Sequence, residues 1–468
     1  MLKQNRNSLM VALLSSILFG GSGCTNTNEA QPVNESISVE TMSNISSIAI
    51  DNVWSGHRIK PYLLTRGDHQ FVAYFDANRQ MTVAYRFGTG TWRYYKVDSW
   101  LGWDSHNYVT MELDSQGHLH VMGNMHADPL EYFRTTEPYN VRSLQRMPLL
   151  VDSSIEQSMT YPIFKLNKQG ELIVKYRDGG SGNGNEIYNI YDTKSQSWAR
   201  LHENIFLDGE GKMNGYFEGP ILGPDGFFHL VWVWRNTPNA ATNHDLSYAK
   251  SEDLVNWFDS NNQPLNLPIT LNTAEVIADV PPFGGIINNN NKIGFDQQGN
   301  VLVTYHRYDE IGDTQLYIAR KNGQKWQSTQ ISDWKGFRWD FGGGGSLGKF
   351  AVEPFNPIVL NDTTIGVKVR KNDDLMMFVL DKHSLKTIKV EPTVLYPNEI
   401  VAKTLHSNRQ LFQDSTIKLE NHVFEGVGQA SDPNKKYYLS WQSQPANRDR
   451  AHSFITQPSV LLLHEVKQ

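Results

Sequence analysis

Short runs of alternating apolar and polar residues recur along the chain, each bounded by turn formers. One phrase opens on Asp or Asn, turns through Gln and Gly, and continues as an alternating strand ending in Tyr, Arg or His. It appears as DANRQMTVAYR (76–86), DSQGHLHVMGNMH (114–126), NKQGELIVKYR (167–177), GPDGFFHLVWVWR (223–235) and DQQGNVLVTYHR (296–307). A second phrase, an aromatic strand followed by a polar turn and Trp, appears as IYNIYDTKSQSW (187–198), LSYAKSEDLVNW (246–257) and LYIARKNGQKW (316–326). Period-two alternation between turn residues is the signature of antiparallel strands. Serial copies predict stacked or radial four-stranded units, an all-β architecture. Ser251, Asp253 and Trp257 also fit a degenerate Asp-box turn. No segment shows sustained helical periodicity, and no Pro/Gly linker divides the body, which reads as one domain over 48–468.

Composition narrows the class. Among 468 residues, 36 Gly, 20 Pro, 12 Trp, 20 Tyr and 21 Phe favour many short strands and tight turns over a helical bundle. The only cysteine is Cys24, which excludes a disulfide scaffold. A net charge of −6 gives no general attraction to nucleic acid or anionic membranes. A polyanionic ligand would need local Arg, Lys and His.

The N-terminus carries an address. Lys3 and Arg6 precede an apolar run, Leu9 to Phe19, then small residues up to Cys24. This predicts a secretory signal over 1–23, too short for a stable membrane span. The cysteine after the small residues resembles a lipoprotein cleavage site, so the sole membrane contact expected is a lipid on Cys24. Gly21 stands where such sites usually carry Leu, and plain secretion with an incidental cysteine is the alternative. Residues 24–47, rich in Asn, Ser, Thr and Glu, read as a flexible tether.

In a radial architecture, polar residues closing several strands converge in space. Four stretches have this character: WDSHN (103–107) with His106 and Asn107, GNMH (123–126) with Asn124 and His126, MTYP (159–162) with Tyr161, and YRDGGSGNGN (176–185) with Arg177. The Gly-rich segment after Arg177 lacks the Lys-Ser/Thr ending of a phosphate loop. His, Tyr and Arg are the types that β-elimination at a uronic acid requires. The C5 proton is hardly acidic until the neighbouring carboxylate is neutralised, which Arg does through bidentate pairing. A base then takes that proton and an acid protonates the leaving O4. Tyr serves if a nearby Arg lowers its pKa, and His serves near neutrality. Taken singly, each of these residues also reads as an ordinary hydrogen-bonded group at a strand end.

The run WDSHN…GHLHVMGNMHADPLEYFR, TYP, YRDGGSGNG, GPDGFFHLVWVWRNTP, TNHDLSYAKSEDL, TYHRYDEIGDTQLYIAR and the closing WQSQPANRDR (441–450) is similar to the propeller-type ulvan lyases. These belong to a wider group of neuraminidase-repeat-like bacterial proteins. The resemblance implies a seven-bladed β-propeller of four-stranded antiparallel blades and cleavage of a sulfated rhamnose–uronate polysaccharide. Repeat counting alone also admits six or eight blades. By the resemblance, His106 and Tyr161 are the acid/base pair, and Arg177, helped by His126, neutralises the uronate. Asn107 and Asn124 add donors to the sugar, while Tyr216 and Arg235 contact neighbouring sugars or a sulfate. The elimination requires no cofactor. The resemblance also implies a structural metal, zinc or calcium, near His244 and His306, although two histidines fall short of the three or four ligands such a site needs.

Rival readings are a lyase acting on another rhamnose–glucuronate polymer, a sialidase-like hydrolase, and a surface lipoprotein that binds acidic glycans without cleaving them. Arg58-Ile59-Lys60-Pro61 superficially matches a sialidase Arg-Ile-Pro signature but carries an extra Lys.

Overall fold

A computed structural model describes residues 44–409 and 418–468. The signal sequence, Cys24 and most of the tether lie outside these residues. Ile45–Ser47 do not belong to a tether, because they open the strand Ile45–Val53 and pair with residues near the C-terminus.

The described residues form seven four- or five-stranded sheets, in which antiparallel pairing between sequence neighbours dominates. The first holds Tyr62–Gly67, His69–Phe75, Gln80–Phe87 and Arg93–Trp100, and the second runs from Val109–Leu113 to Leu144–Arg146. The third is built on Met159–Leu166, Leu172–Gly180, Asn183–Asp192 and Ser197–Arg200. The fourth contains Asn214–Leu222, Phe228–Arg235 and Asn243–Ser251, and the fifth Lys292–Phe295 to Lys325–Gln330. The sixth is centred on Thr364–Lys371 and Asp374–Asp381. In the seventh, Glu420–Glu425, Lys435–Ser443 and Ser459–Lys467 are completed by Ile45–Val53 from the opposite end of the chain. A second long-range tie is parallel pairing of Val427–Ala430 with Tyr62–Gly67 of the first sheet.

The repeated phrase folds for a local reason. Its opening side-chain oxygen accepts backbone N–H groups two and four residues on: Asp114 from Gln116 and His118, Asn167 from Gln169 and Glu171, Asp296 from Gln298 and Asn300. The glycine that follows sits at φ between +78° and +84° at Gly117, Gly170, Gly226 and Gly299, where a Cβ would be strained. In these four copies the turn joins the first and second strands of its sheet. The copy at 76–86 is out of phase: its turn joins the second and third strands, and Arg79, not Gly, takes the positive φ of 69°.

The second phrase joins third and fourth strands in all three copies. Its Asp-box forms as expected. Ser251 Oγ accepts from Leu254 N at 2.8 Å, Asp253 caps the N–H groups of Val255 and Asn256 at 2.8 Å, and Trp257 Nε1 donates to Leu254 O at 3.0 Å. Apolar faces of neighbouring sheets pack on one another, as where Phe71, Val83, Met111, Val121 and Phe133 join the first sheet to the second. The sequence pattern missed one element, the α-helix Asn398–Ser407.

Candidate functional site

Strand register assembles the centre of the site. Thr160 stands opposite His126 on one side and Arg177 on the other, so three segments far apart in sequence are adjacent in one sheet. Its hydroxyl accepts from Ala127 N at 2.7 Å and Arg177 Nη2 at 3.1 Å, which locks the three strands together. The register shifts between Thr160 and Ile163, and within this bulge Tyr161 adopts φ of +54°. A bulge re-aims a side chain at some conformational cost. Here it leaves Tyr161 lining a cleft of about 1150 Å3 together with His106, His126, Arg177, Tyr216 and Arg235.

Asp104 organises the histidines. Its Oδ1 lies 2.6 Å from His106 Nδ1 and its Oδ2 2.5 Å from His126 Nδ1. Partial burial alone would raise the Asp104 pKa, but these two hydrogen bonds outweigh it and hold the carboxyl well below the usual range. An ionised carboxylate only accepts, so both Nδ1 atoms donate and each neutral imidazole keeps its lone pair on Nε2. The rings lie with centroids 4.2 Å apart and their planes tilted by 33°, and each lies 6.0 Å from the Tyr161 ring.

The arginines face the tyrosines. The Arg177 guanidinium lies 5.0 Å from the Tyr161 ring centroid and 5.7 Å from that of Tyr216. Tyr216 Oη accepts from Arg177 at 3.4 Å and Arg235 at 3.3 Å, and lies 2.7 Å from Ser181 Oγ. Burial raises the Tyr216 pKa, but the two guanidiniums and the Ser181 contact more than reverse this, so its phenol is lowered. Tyr161 is raised by burial and by the neighbouring Tyr216, against the pull of Arg177. The expectation that arginine lowers a tyrosine pKa here therefore applies to Tyr216 and not to Tyr161. The glycine-rich segment after Arg177 is a tight hairpin in which Gly180 pairs with Asn183. At Gly182, with φ of +82°, a Cβ would strike the Thr237 backbone.

Six of the expected residues thus meet in the cleft. Asn107 and Asn124 are not among the residues that line it. Asn107 Nδ2 donates to Asn124 Oδ1 at 3.1 Å, and Asn124 Nδ2 donates to Ser99 Oγ at 2.9 Å and Trp100 O at 3.0 Å. These amides pin the turn carrying His126 against the end of the first sheet.

The implied zinc or calcium does not fit His244 and His306. His244 has both ring nitrogens engaged, with Asp245 at 3.0 Å and Asn236 at 2.8 Å. His306 belongs to a different sheet, is buried beside Trp339, and is held by burial at a pKa of about 4. Among the described residues, the group of His, Cys, Asp or Glu whose donors could share an ion is Asp104, His106 and His126. Sequence reading passed over Asp104 although it stands two residues before His106; its clue was the Asx turn in which Oδ1 accepts His106 N at 2.9 Å. Also missed were Thr160, Ser181 and Asp449, the last accepting from Ser105 N at 3.2 Å and Ser346 N at 2.8 Å.

The family model described as BNR repeat-containing family member matches residues 69–334. An ulvan lyase, short isoform, from Alteromonas sp. (strain LOR) is 27% identical over 136 residues, covering 27% of this chain. The chain matches 26% of that relative's length. Among solved structures, polysaccharide lyase Uly1 superposes with a TM-score of 0.59 at 12% identity, covering 89% of this chain and 92% of its own. A PL25 ulvan lyase bound to -[GlcA(1-4)Rha3S]- gives 0.57 at 12% identity, covering 89% and 97%. At such identities the likeness concerns the fold, that of an ulvan lyase-like propeller protein.

Proposed function

The chain belongs to the BNR repeat-containing family, and from that premise we propose that it is a polysaccharide lyase cleaving ulvan by β-elimination at the uronic acid. The seven sheets are read as the blades of a closed seven-bladed propeller, with Ile45–Val53 completing the last blade. One observation carries the functional reading: a guanidinium, two imidazoles and two phenols, brought from the third sheet, the fourth sheet and the segment before the second, face one cleft with the Tyr161 ring 6.0 Å from those of His106 and Tyr216. The disaccharide in the PL25 relative, a uronate joined to a sulfated rhamnose, supports the substrate class.

In this reading Arg177 pairs with the uronate carboxylate, helped by His126, and stabilises the charge that builds on it as C5 loses its proton. The Nε2 lone pair of His106, fixed by Asp104 on the far side of the ring, takes that proton. The C4–C5 double bond forms, the C4–O4 bond breaks, and the neutral phenol of Tyr161 protonates O4. The raised pKa of Tyr161 keeps it protonated at neutral pH, as an acid requires. Tyr216 and Arg235 contact the adjoining residue of the polymer. Export, with a lipid on Cys24, would bring the enzyme to a polymer too large to enter a cell.

The test is incubation of the purified protein with ulvan, gum arabic and other uronate polymers, following ultraviolet absorbance of the unsaturated uronate. Ulvan is expected to give the signal. Binding without the signal would leave a glycan-binding protein, and reducing ends without it a hydrolase. Tyr161→Phe should abolish turnover and spare affinity; parallel loss of both would overturn the role given to Tyr161.

A further inference from the structure

We propose that Asp104, His106, His126 and Asp449 form a binding site for a divalent first-row transition ion of the zinc class on the wall of the cleft. One donor atom from each of Asp104, His106 and His126 lies within 4.8 Å of the others. Asp449 Oδ2 stands 3.8 Å from His106 Nδ1, which brings a second carboxylate to the same group. Donors bonded at about 2.0–2.2 Å around a tetrahedral ion lie roughly 3.3 Å apart. The spacings here, 2.5 and 2.6 Å from Asp104 and 3.8 Å from Asp449, bracket that separation, so small side-chain shifts suffice once an arriving ion displaces each ring proton from Nδ1 to Nε2.

Donor chemistry selects the ion. Two imidazoles favour zinc, copper, nickel or cobalt over calcium or magnesium, which prefer all-oxygen shells. Two carboxylates beside two neutral imidazoles place a charge of about −2 around the position, matched to a divalent cation. Nearby contacts hold these donors before any ion arrives. Asp449 is oriented by Ser105 N at 3.2 Å and Ser346 N at 2.8 Å. Beneath the 103–106 segment, Trp54 Nε1 donates to His57 Nδ1 at 2.9 Å, and the Arg79 guanidinium lies 4.9 Å from the rings of both Trp54 and Trp103. The four side chains are between 18% and 28% exposed, which leaves an entry path and room for water in the coordination shell.

The site stands on this geometry and does not depend on the lyase reading. One consequence does: an ion here engages the imidazoles that reading uses, so it inhibits turnover reversibly.

Isothermal titration of the full chain with zinc chloride, and the visible spectrum of the cobalt(II) adduct, test the site without any activity assay. A single saturable equivalent is expected, with an intense visible band from tetrahedral cobalt. His126→Gln should weaken binding about tenfold or more, and Asp449→Asn should weaken it measurably with circular dichroism unchanged. Should His126→Gln fail to fold, Asp449→Asn decides alone. Absence of saturable binding, or affinity unchanged in the folded variants, overturns the site. In a lyase assay on ulvan, stoichiometric zinc binding with unaltered turnover overturns the inhibitory consequence. If ulvan is not cleaved at all, the lyase reading fails and the titration still decides the site.

Discussion

Asp104 Oδ1 accepts the Nδ1–H of His106 at 2.6 Å, and this bond determines which nitrogen can act on a substrate. With Nδ1 committed as donor, Nε2 is the basic atom of the neutral ring. In Asp104→Asn the charge is lost and the amide can donate to Nδ1, which moves the ring proton to Nε2. The variant is expected to fold normally by circular dichroism and to lose about 10²–10⁴-fold in turnover, the range for removing a positioned general base. Turnover within threefold of wild type would exclude His106 as a base acting through Nε2.

Tyr216 gives a prediction in the alkaline range. Its phenol accepts from Arg177 and Arg235, and its pKa lies below 10 although burial opposes this. Phenolate absorbance in a spectrophotometric titration should show a first step below pH 10 that disappears in Tyr216→Phe and moves upward in Arg235→Ala. The linkage sign follows from a folded pKa below the unfolded one. The stabilisation is fully present above the unfolded value near 10 and is lost as pH falls through the folded value. The stability difference between wild type and Arg235→Ala should therefore widen as pH rises toward 10, measured by urea unfolding.

How much of this was legible in the sequence depended on whether the signal was local. His106, His126, Tyr161 and Arg177 stand at or beside the ends of alternating strands, and strand ends are where a radial sheet arrangement gathers polar groups. Tyr216 and Arg235 followed from the resemblance. Asp104 was in plain view, but its role as acceptor for two rings depends on His126, 22 residues away, folding back onto it. The hydrogen bond between Asn107 and Asn124 was not legible, because an amide donor looks the same in sequence whether it faces a sugar or another amide. The phrase at 76–86 matched the repeat by composition while sitting one strand out of step, since an Asx turn serves any hairpin of suitable length. The helix Asn398–Ser407 buries Ile400 and Thr404, too thin a stripe to register as amphipathic. Pairing of Ile45–Val53 with Ser459–Lys467 spans nearly the whole chain and has no local signature.

Buried histidines make stability depend on mild acid. His57, His120, His306 and His464 are each lowered by burial from 6.5 to about 4. His464 sits between Ser47 Oγ and Ser440 Oγ, each at 2.7 Å, and so ties the N-terminal strand to the C-terminal ones. Because the folded pKa is depressed, the unfolded chain binds more protons between these values. The contribution is fully present above pH 6.5 and is lost as pH falls through 4. A shift of this size corresponds to roughly 3 kcal/mol per group at most. Urea midpoints should fall steadily from pH 7 to pH 4, and less steeply in His464→Gln, which keeps a polar group without the titration. A flat profile over that range would contradict the neutral, buried state of these rings.

The Asp-box offers a stability test away from the cleft. Asp253 Oδ1 caps the N–H groups of Val255 and Asn256 at 2.8 Å and lies 3.1 Å from Ser251 Oγ, while Oδ2 accepts from Asn256 Nδ2 at 2.8 Å. This turn presents Trp257, 2% exposed, to the apolar layer with Phe206, Leu254 and Ile269. Asp253→Ala removes the acceptor for four donors but leaves the ring and its partners in place. Water can reach this half-exposed turn and replace part of what is lost, so the expected cost is about 1–2 kcal/mol, less than for a buried charged acceptor. Trp257→Ala instead removes a large buried side chain and should cost about 3–5 kcal/mol. Urea unfolding of both variants checks the order. Equal losses would mean that the turn, and not the indole it carries, holds this edge of the fourth sheet.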